Sequence, residues 1–215
     1  MVSVEIQSFS PPLVFTLAIV GHREIDPGQV EELGSGIVRL IDSVGSQLGA
    51  GQERSSIDQR RDLTLRFLSA LAPGADQIGA RAMLDRQAKA KEGEATWQLE
   101  AVLPFALDDY ADEIARDIAQ RGGSAGDQAK ATQAMRELAG KARRVLEMAD
   151  WRPGDGDSAL DGHRRARRYA TLGQMVVRQA DLIIALWGGG PPGGMGGTAD
   201  VVQEARRSGV PVIWI

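Results

Sequence analysis

The chain has 215 residues, 43% hydrophobic and 25% charged, which is enough for one good core and fits a single α/β domain. A net charge of −4 and a pI near 5.3 weigh against broad nucleic-acid binding, and the absence of cysteine excludes disulfides and thiolate metal sites. No run of about 20 apolar residues offers a membrane span. The opening MVSVEIQSFSPP has neither the basic nor the apolar section of a secretory signal, so the cytoplasm is the expected compartment.

Residues 1–12 read as an irregular lead-in ended by Pro11-Pro12. Leu13 to Val20 is the first expected strand, and it runs into Gly21-His22-Arg23. Pro27 suits the first turn of a helix that places Val30, Leu33, Ile37, Leu40, Val44 and Leu48 on one face. A polar loop from Gly49 to Arg61 follows. The second strand, Leu63 to Leu71, turns through Ala72-Pro73-Gly74-Ala75-Asp76 into a helix beginning near Gln77. Trp97 to Leu103 is the third strand, closed by Pro104-Phe105.

From residue 108 to 162 the pattern suggests a helical insertion. Two helices are expected, Asp109–Gln120 and Gln128–Ala149, the second spacing Ala131, Met135, Leu138, Ala142 and Val145 along one stripe. The loop Trp151–Gly162 leads to a helix from His163 to Gln179 with Tyr169, Leu172 and Val176 on one face. Leu182 to Trp187 is a buried strand, apolar without alternation as in a parallel sheet covered on both faces. The glycine-rich loop Gly188–Gly197 follows, then a helix opening at Thr198 and a last strand from Val210 to Ile215. Strands alternating with helices imply a Rossmann-like, doubly wound parallel sheet of about five strands in the order 3-2-1-4-5. A chain that stops inside a strand, at PVIWI, is expected to be the N-terminal domain of a longer protein.

In such sheets ligands bind at the carboxyl ends of the strands, where the strand order reverses, here between the first and fourth strands. Gly21-His22-Arg23 would then face Gly188–Gly197, with Ala72–Asp76 beside them. Glycines let the backbone approach a ligand closely, and the free N–H groups behind an N-cap such as Thr198 favour an anion. Arg23 suits a bidentate phosphate contact or an ion pair with Glu24 or Asp26. His22 could meet the ligand or serve the fold. Asp76 and Asp200 each stand in a first helical turn, where they could hold ribose hydroxyls or simply favour the helix dipole. The run His163-Arg164-Arg165-Ala166-Arg167-Arg168 wraps around its helix and is expected to be a solvated face paired with Asp155, Asp157 and Asp161. The acidic loop is no EF-hand, because Ala159 and Leu160 fall where an oxygen ligand and a glycine are needed. No G-x-G-x-x-G follows the first strand, and no P-loop, G-x-S-x-G elbow or H-E-x-x-H occurs.

Two motifs resemble those of known families. SALAPGADQIGA (Ser69–Ala80) resembles the S-G-L-A-x-G-I-D signature of the DNA-processing protein A family. PGGMGGTADVV (Pro192–Val202) resembles the P-G-G-x-G-T-x-x-E motif of the "Lonely Guy" cytokinin-activating phosphoribohydrolases. Both families belong to the SLOG superfamily, and the Gly-His-Arg, ADLIIALWGG and GVPVIWI stretches resemble its bacterial conflict and defence branch. The resemblance spans nearly all of the chain except residues 108–162. It implies a Rossmann-like domain that senses a nucleotide-derived ligand of the ADP-ribose or cyclic-nucleotide type, joined to an effector and often paired as a homodimer. Phosphates would lie on the amides of Gly74, Ala75 and Asp76 and of Gly194 to Thr198, with Ser69, Gly188, Gly193, Gly196 and Gly197 shaping the site and Arg23 as counter-charge. In the phosphoribohydrolases the motif's glutamate is catalytic, three residues after the threonine. That position is Val201 here, with Asp200 one place early and Glu204 three places late. One residue turns a side chain by about 100° around a helix. A binding domain is therefore the first expectation and an N-glycosidic hydrolase using Asp200 or Glu204 the alternative. Single-stranded DNA binding is disfavoured by the acidic pI and by 5% aromatic residues.

Overall fold

A computed structural model of the chain describes residues 12–53, 62–92, 94–148, 158–191 and 195–215. The expected lead-in, most of the Gly49–Arg61 loop, most of the Trp151–Gly162 loop, and Gly193 and Gly194 lie outside the described residues. Six strands form one parallel sheet: β1 (Leu13–Gly21), β2 (Leu63–Ser69), β3 (Thr96–Leu103), β4 (Arg144–Glu147), β5 (Leu182–Leu186) and β6 (Val212–Trp214). Between them run α1 (Val30–Glu53), α2 (Ala75–Ala88), α3 (Leu107–Gln120), α4 (Ala125–Lys141), α5 (Ser158–Gln179) and α6 (Thr198–Arg207).

The order across the sheet is β4-β3-β2-β1-β5-β6. The expected five-strand order is embedded in it, and the addition is β4 at the edge. The sequence reading carries the second inserted helix through this segment to Ala149. The helix instead stops at Lys141, where Ala142 turns extended at φ −69°, ψ 139°. Arg144 to Glu147 then pair in register with Glu100 to Leu103. A short apolar run fits helix and strand periodicity equally, so pairing with a sheet edge decides it. The glycine-rich half of the loop after Leu48 also differs, since α1 continues to Glu53.

Successive strand residues face opposite layers. On one face Leu17, Ile19, Leu65, Phe67, Leu99 and Ile184 pack against α1, α2, α3 and α4. On the other Ala18, Leu68, Val102 and Ile183 meet Leu172, Val176 and Val177 of α5 and Val201 and Ala205 of α6. Right-handed crossovers require this division. Connections moving outward from β1 toward β4 place their helices on one side, and those that return to β5 and go on to β6 place theirs on the other. The sheet therefore reverses direction between β1 and β5, which pair from Leu17↔Leu182 to Gly21↔Leu186. Among the described residues no helix is long and apolar enough to cross a membrane.

Candidate functional site

The carboxyl ends of β1, β2 and β5 are stitched together by backbone. The His22 N–H donates to the Leu186 carbonyl at 3.0 Å, and the His22 carbonyl accepts from Ala75 N–H at 3.0 Å. His22 Nε2 accepts the Gly188 N–H at 2.9 Å. The histidine thus joins three strand ends, a structural duty that fixes Nε2 as an acceptor. Gly74 adopts φ +81°, and a Cβ there would lie 2.4 Å from the carbonyl oxygens of both His22 and Arg23. Only glycine fits that turn.

The turn after β2 is rigid for further reasons. Leu71 holds φ +57°, a left-handed conformation uncommon outside glycine. It is kept there by the buried Ser69 hydroxyl, which accepts its N–H at 3.1 Å and donates to the Asp76 carbonyl at 3.0 Å. Gln77 Nε2 donates to the Leu71 carbonyl at 3.2 Å and to that of Ala131 at 3.3 Å. Ser69, Gly74 and Ala75 therefore build the turn, and the side chain they present is Asp76.

Above these strand ends lies a cleft of about 670 Å³. Asp76, Arg23, Tyr110 and Tyr169 line its polar end, while Leu172, Gly173, Val176 and Val201 form an apolar wall. Gly196, Gly197 and Thr198 line it from the loop that enters α6. Arg23 reaches α3 and pairs with Asp117 at 2.9 Å, so its ion-pair partner is neither Glu24 nor Asp26. Its guanidinium also stands 5.2 Å from the centre of the Tyr169 ring. Burial opposes its charge, but Tyr169, Tyr110 and Asp117 outweigh burial and hold the guanidinium above its usual range. Burial pushes the Asp76 carboxyl up to about 7, against the pull of Arg23 and of an amide hydrogen bond from Ala72. Burial likewise raises both tyrosines. The Tyr169 hydroxyl is buried and faces the Arg23 guanidinium.

The glycine loop reaches the cleft from β5. Gly196 adopts φ +83°, and a Cβ there would stand 2.4 Å from the Ala170 amide nitrogen. The loop backbone therefore lies directly on α5. Gly197 is the N-cap of α6 and offers no side chain, so the first turn is uncapped toward the cleft. The Asp200 carboxylate accepts the Gly196 N–H at 2.8 Å and so closes the loop. Neither Asp200 nor Glu204 lines the cleft, and Gly188 stands just outside it, bonded to His22.

Of the expected residues, the structure brings Gly21, His22, Arg23, Asp76, Gly196, Gly197 and Thr198 to one cleft. Residues not anticipated are Tyr110, Asp117 and Arg121 from α3 and its end, and Tyr169 from α5. Arg121 pairs with Glu24 at 2.7 Å and with Asp117 at 3.1 Å, closing the rim. One signal was available for Tyr110. It lies in the first turn of the helix after the third strand, at the same end of the sheet as the other site residues. In the basic run on α5, Arg165 pairs with the buried Glu113 at 3.1 Å. Asp155, Asp157 and the side chain of Asp161 lie outside the described residues. Among the described residues no group of three His, Cys, Asp or Glu could hold a metal ion. No protein-family model matches the chain, and no curated protein matches its sequence.

Proposed function

We propose that this domain binds a phosphorylated, nucleotide-derived ligand in the cleft between β1 and β5, as a member of the SLOG superfamily. The observation that carries the reading is the convergence of Arg23 and the uncapped N-terminus of α6 on one cleft whose other wall is apolar. Phosphate oxygens would take the amides of Gly197 to Ala199 and the Thr198 hydroxyl, with Arg23 as counter-charge. The flat, less polar part of the ligand would lie against Leu172, Val176 and Val201. In a longer chain this binding would be reported to an effector domain.

A second reading has an observation of its own. If the cleft hydrolyses an N-glycosidic bond, the buried acid that lines it is Asp76, because Asp200 is bonded to the Gly196 amide and Glu204 lies elsewhere. Thermal shifts with AMP, NAD, ADP-ribose and a cyclic dinucleotide test both readings, with each hit analysed for released base. A ligand that binds only the folded state raises the midpoint as RT ln(1 + [L]/Kd). A shift that is lost in Arg23→Ala, with the ligand recovered intact, is the expected result. Free base that disappears in Asp76→Asn but persists in Asp200→Asn would establish the hydrolase instead. No shift with any of the four would overturn both.

A further inference from the structure

Among the described residues two carboxyls line the cleft, Asp76 and Glu24, and Asp76 is the buried one, its residue 9% exposed. Arg23, the nearest cation, gives its ion pair to Asp117 on α3. The other charged or titratable groups around it are few. Tyr110 and Tyr169 face it from α3 and α5, and His22 beside Arg23 is bonded through Nε2 to Gly188. On α6, Asp200 is turned to the Gly196 amide. On α4, the group that meets α2 beside the site is the Ala131 carbonyl, at Gln77. On α1, the ion pair to α2 is Asp42 with Arg86, in the last turn of α2 and away from the cleft.

The charges of this cluster balance without Asp76. Arg23 and Arg121 are met by Asp117 and Glu24. An ionised Asp76 would leave the cleft net negative, and an anion entering it would then stand beside a buried like charge. Two such charges in a poorly solvated site do not both stay ionised. The carboxyl is the group that can change, and once protonated it becomes a hydrogen-bond donor.

We propose that Asp76 enters the ligand complex as a neutral carboxylic acid donating its proton to an oxygen of the bound anion, so that the cleft takes up a proton from solvent with each phosphorylated ligand. The inference rests on the binding reading above. It makes Asp76 a sorting residue: ligands with an acceptor oxygen at this point are held, and ligands with a donor there are refused.

The test is titration calorimetry of the wild-type chain with ADP-ribose, whose pyrophosphate keeps its charge between pH 6.5 and 8.5. Heats are compared in two buffers of different ionisation enthalpy. At pH 8 the expected uptake approaches one proton per ligand, and affinity falls about tenfold per pH unit above neutrality. Asp76→Asn should bind with no proton exchange and with a pH-independent Kd. Binding that is equally tight at pH 6.5 and 8.5, with no buffer dependence, would overturn this inference and leave the binding reading standing. So would proton uptake that persists in Asp76→Asn. If ADP-ribose, AMP, NAD and the cyclic dinucleotide all fail to bind at any pH, the binding reading falls and this inference falls with it. The wild-type buffer comparison decides the matter even if the variant does not fold.

Discussion

At the scale of single residues, Asp76 has a consequence for stability that needs no ligand. Its folded carboxyl titrates near 7, whereas an unfolded aspartate titrates near 3.9. Between those values the unfolded chain has lost the proton that the folded chain still holds, so stability falls as pH rises. The loss starts near pH 4, is complete above pH 7, and is on the order of 4 kcal/mol. Asp76→Asn removes the titration and should be progressively more stable than wild type from pH 4 to 8, as read from urea midpoints. Equal pH profiles for the two proteins would show that the carboxyl is not held in the setting described. A stabilising substitution inside the candidate site is what a group kept for function predicts. Gly74→Ala makes the opposite case. Its positive φ and the carbonyls of His22 and Arg23 leave no room for a methyl group, so about 2 to 4 kcal/mol should be lost. A loss below about 0.5 kcal/mol would mean that the turn does not require glycine.

Among the elements, α3 is the one that completes the site from outside the sheet. It supplies Tyr110 to the floor and Asp117 to Arg23, and Arg121 beyond its end ties the same carboxylate to Glu24. Asp117 therefore competes with any anion for the Arg23 guanidinium. Asp117→Asn should weaken that competition and bind ADP-ribose about three- to tenfold more tightly, close to 1 kcal/mol. Unchanged or weaker binding would place the anion away from Arg23. The strand-to-helix turns at Gly21, Ala72–Asp76 and Gly188–Thr198 were legible because local chemistry dictates them: an apolar run, a glycine or proline, and then a helix start. Parallel order and handedness then placed them at one end of the sheet. Arg23 was legible as a charge, but its partner was not, because Asp117 is 94 residues away and belongs to an inserted helix. Tyr169 read as one more apolar position on a helix stripe, since periodicity marks burial and says nothing of what the hydroxyl faces. β4 failed for a related reason, because pairing with a sheet edge is a tertiary fact.

Across the whole molecule, the cleft is where the two helical layers meet. Asp76 and Tyr110 come from the α1–α4 layer, and Tyr169, Gly196 and Thr198 come from the α5–α6 layer or the loop that enters it. Away from the cleft and the Glu113–Arg165 pair between α3 and α5, the sheet separates these layers, so each has a core of its own. A ligand in the cleft touches both and should slow opening in both, since local unfolding sets amide exchange. With saturating ADP-ribose, exchange should slow at residues 71–77 and at 196–201, on opposite faces of the sheet. The α1 helix and the β6 edge at Trp214, a residue 56% exposed, should exchange as in the free protein. Slowing confined to residues 196–201 would leave the anion on the α6 N-terminus alone, with Asp76 and Arg23 outside the complex. Slowing at β6 instead would move the ligand to the smaller hollow lined by Trp187, Arg206 and Trp214. Protection of both layers together is the expected mark of an occupant that spans from the α6 N-terminus to the turn after β2, because groups from the two layers share one surface there.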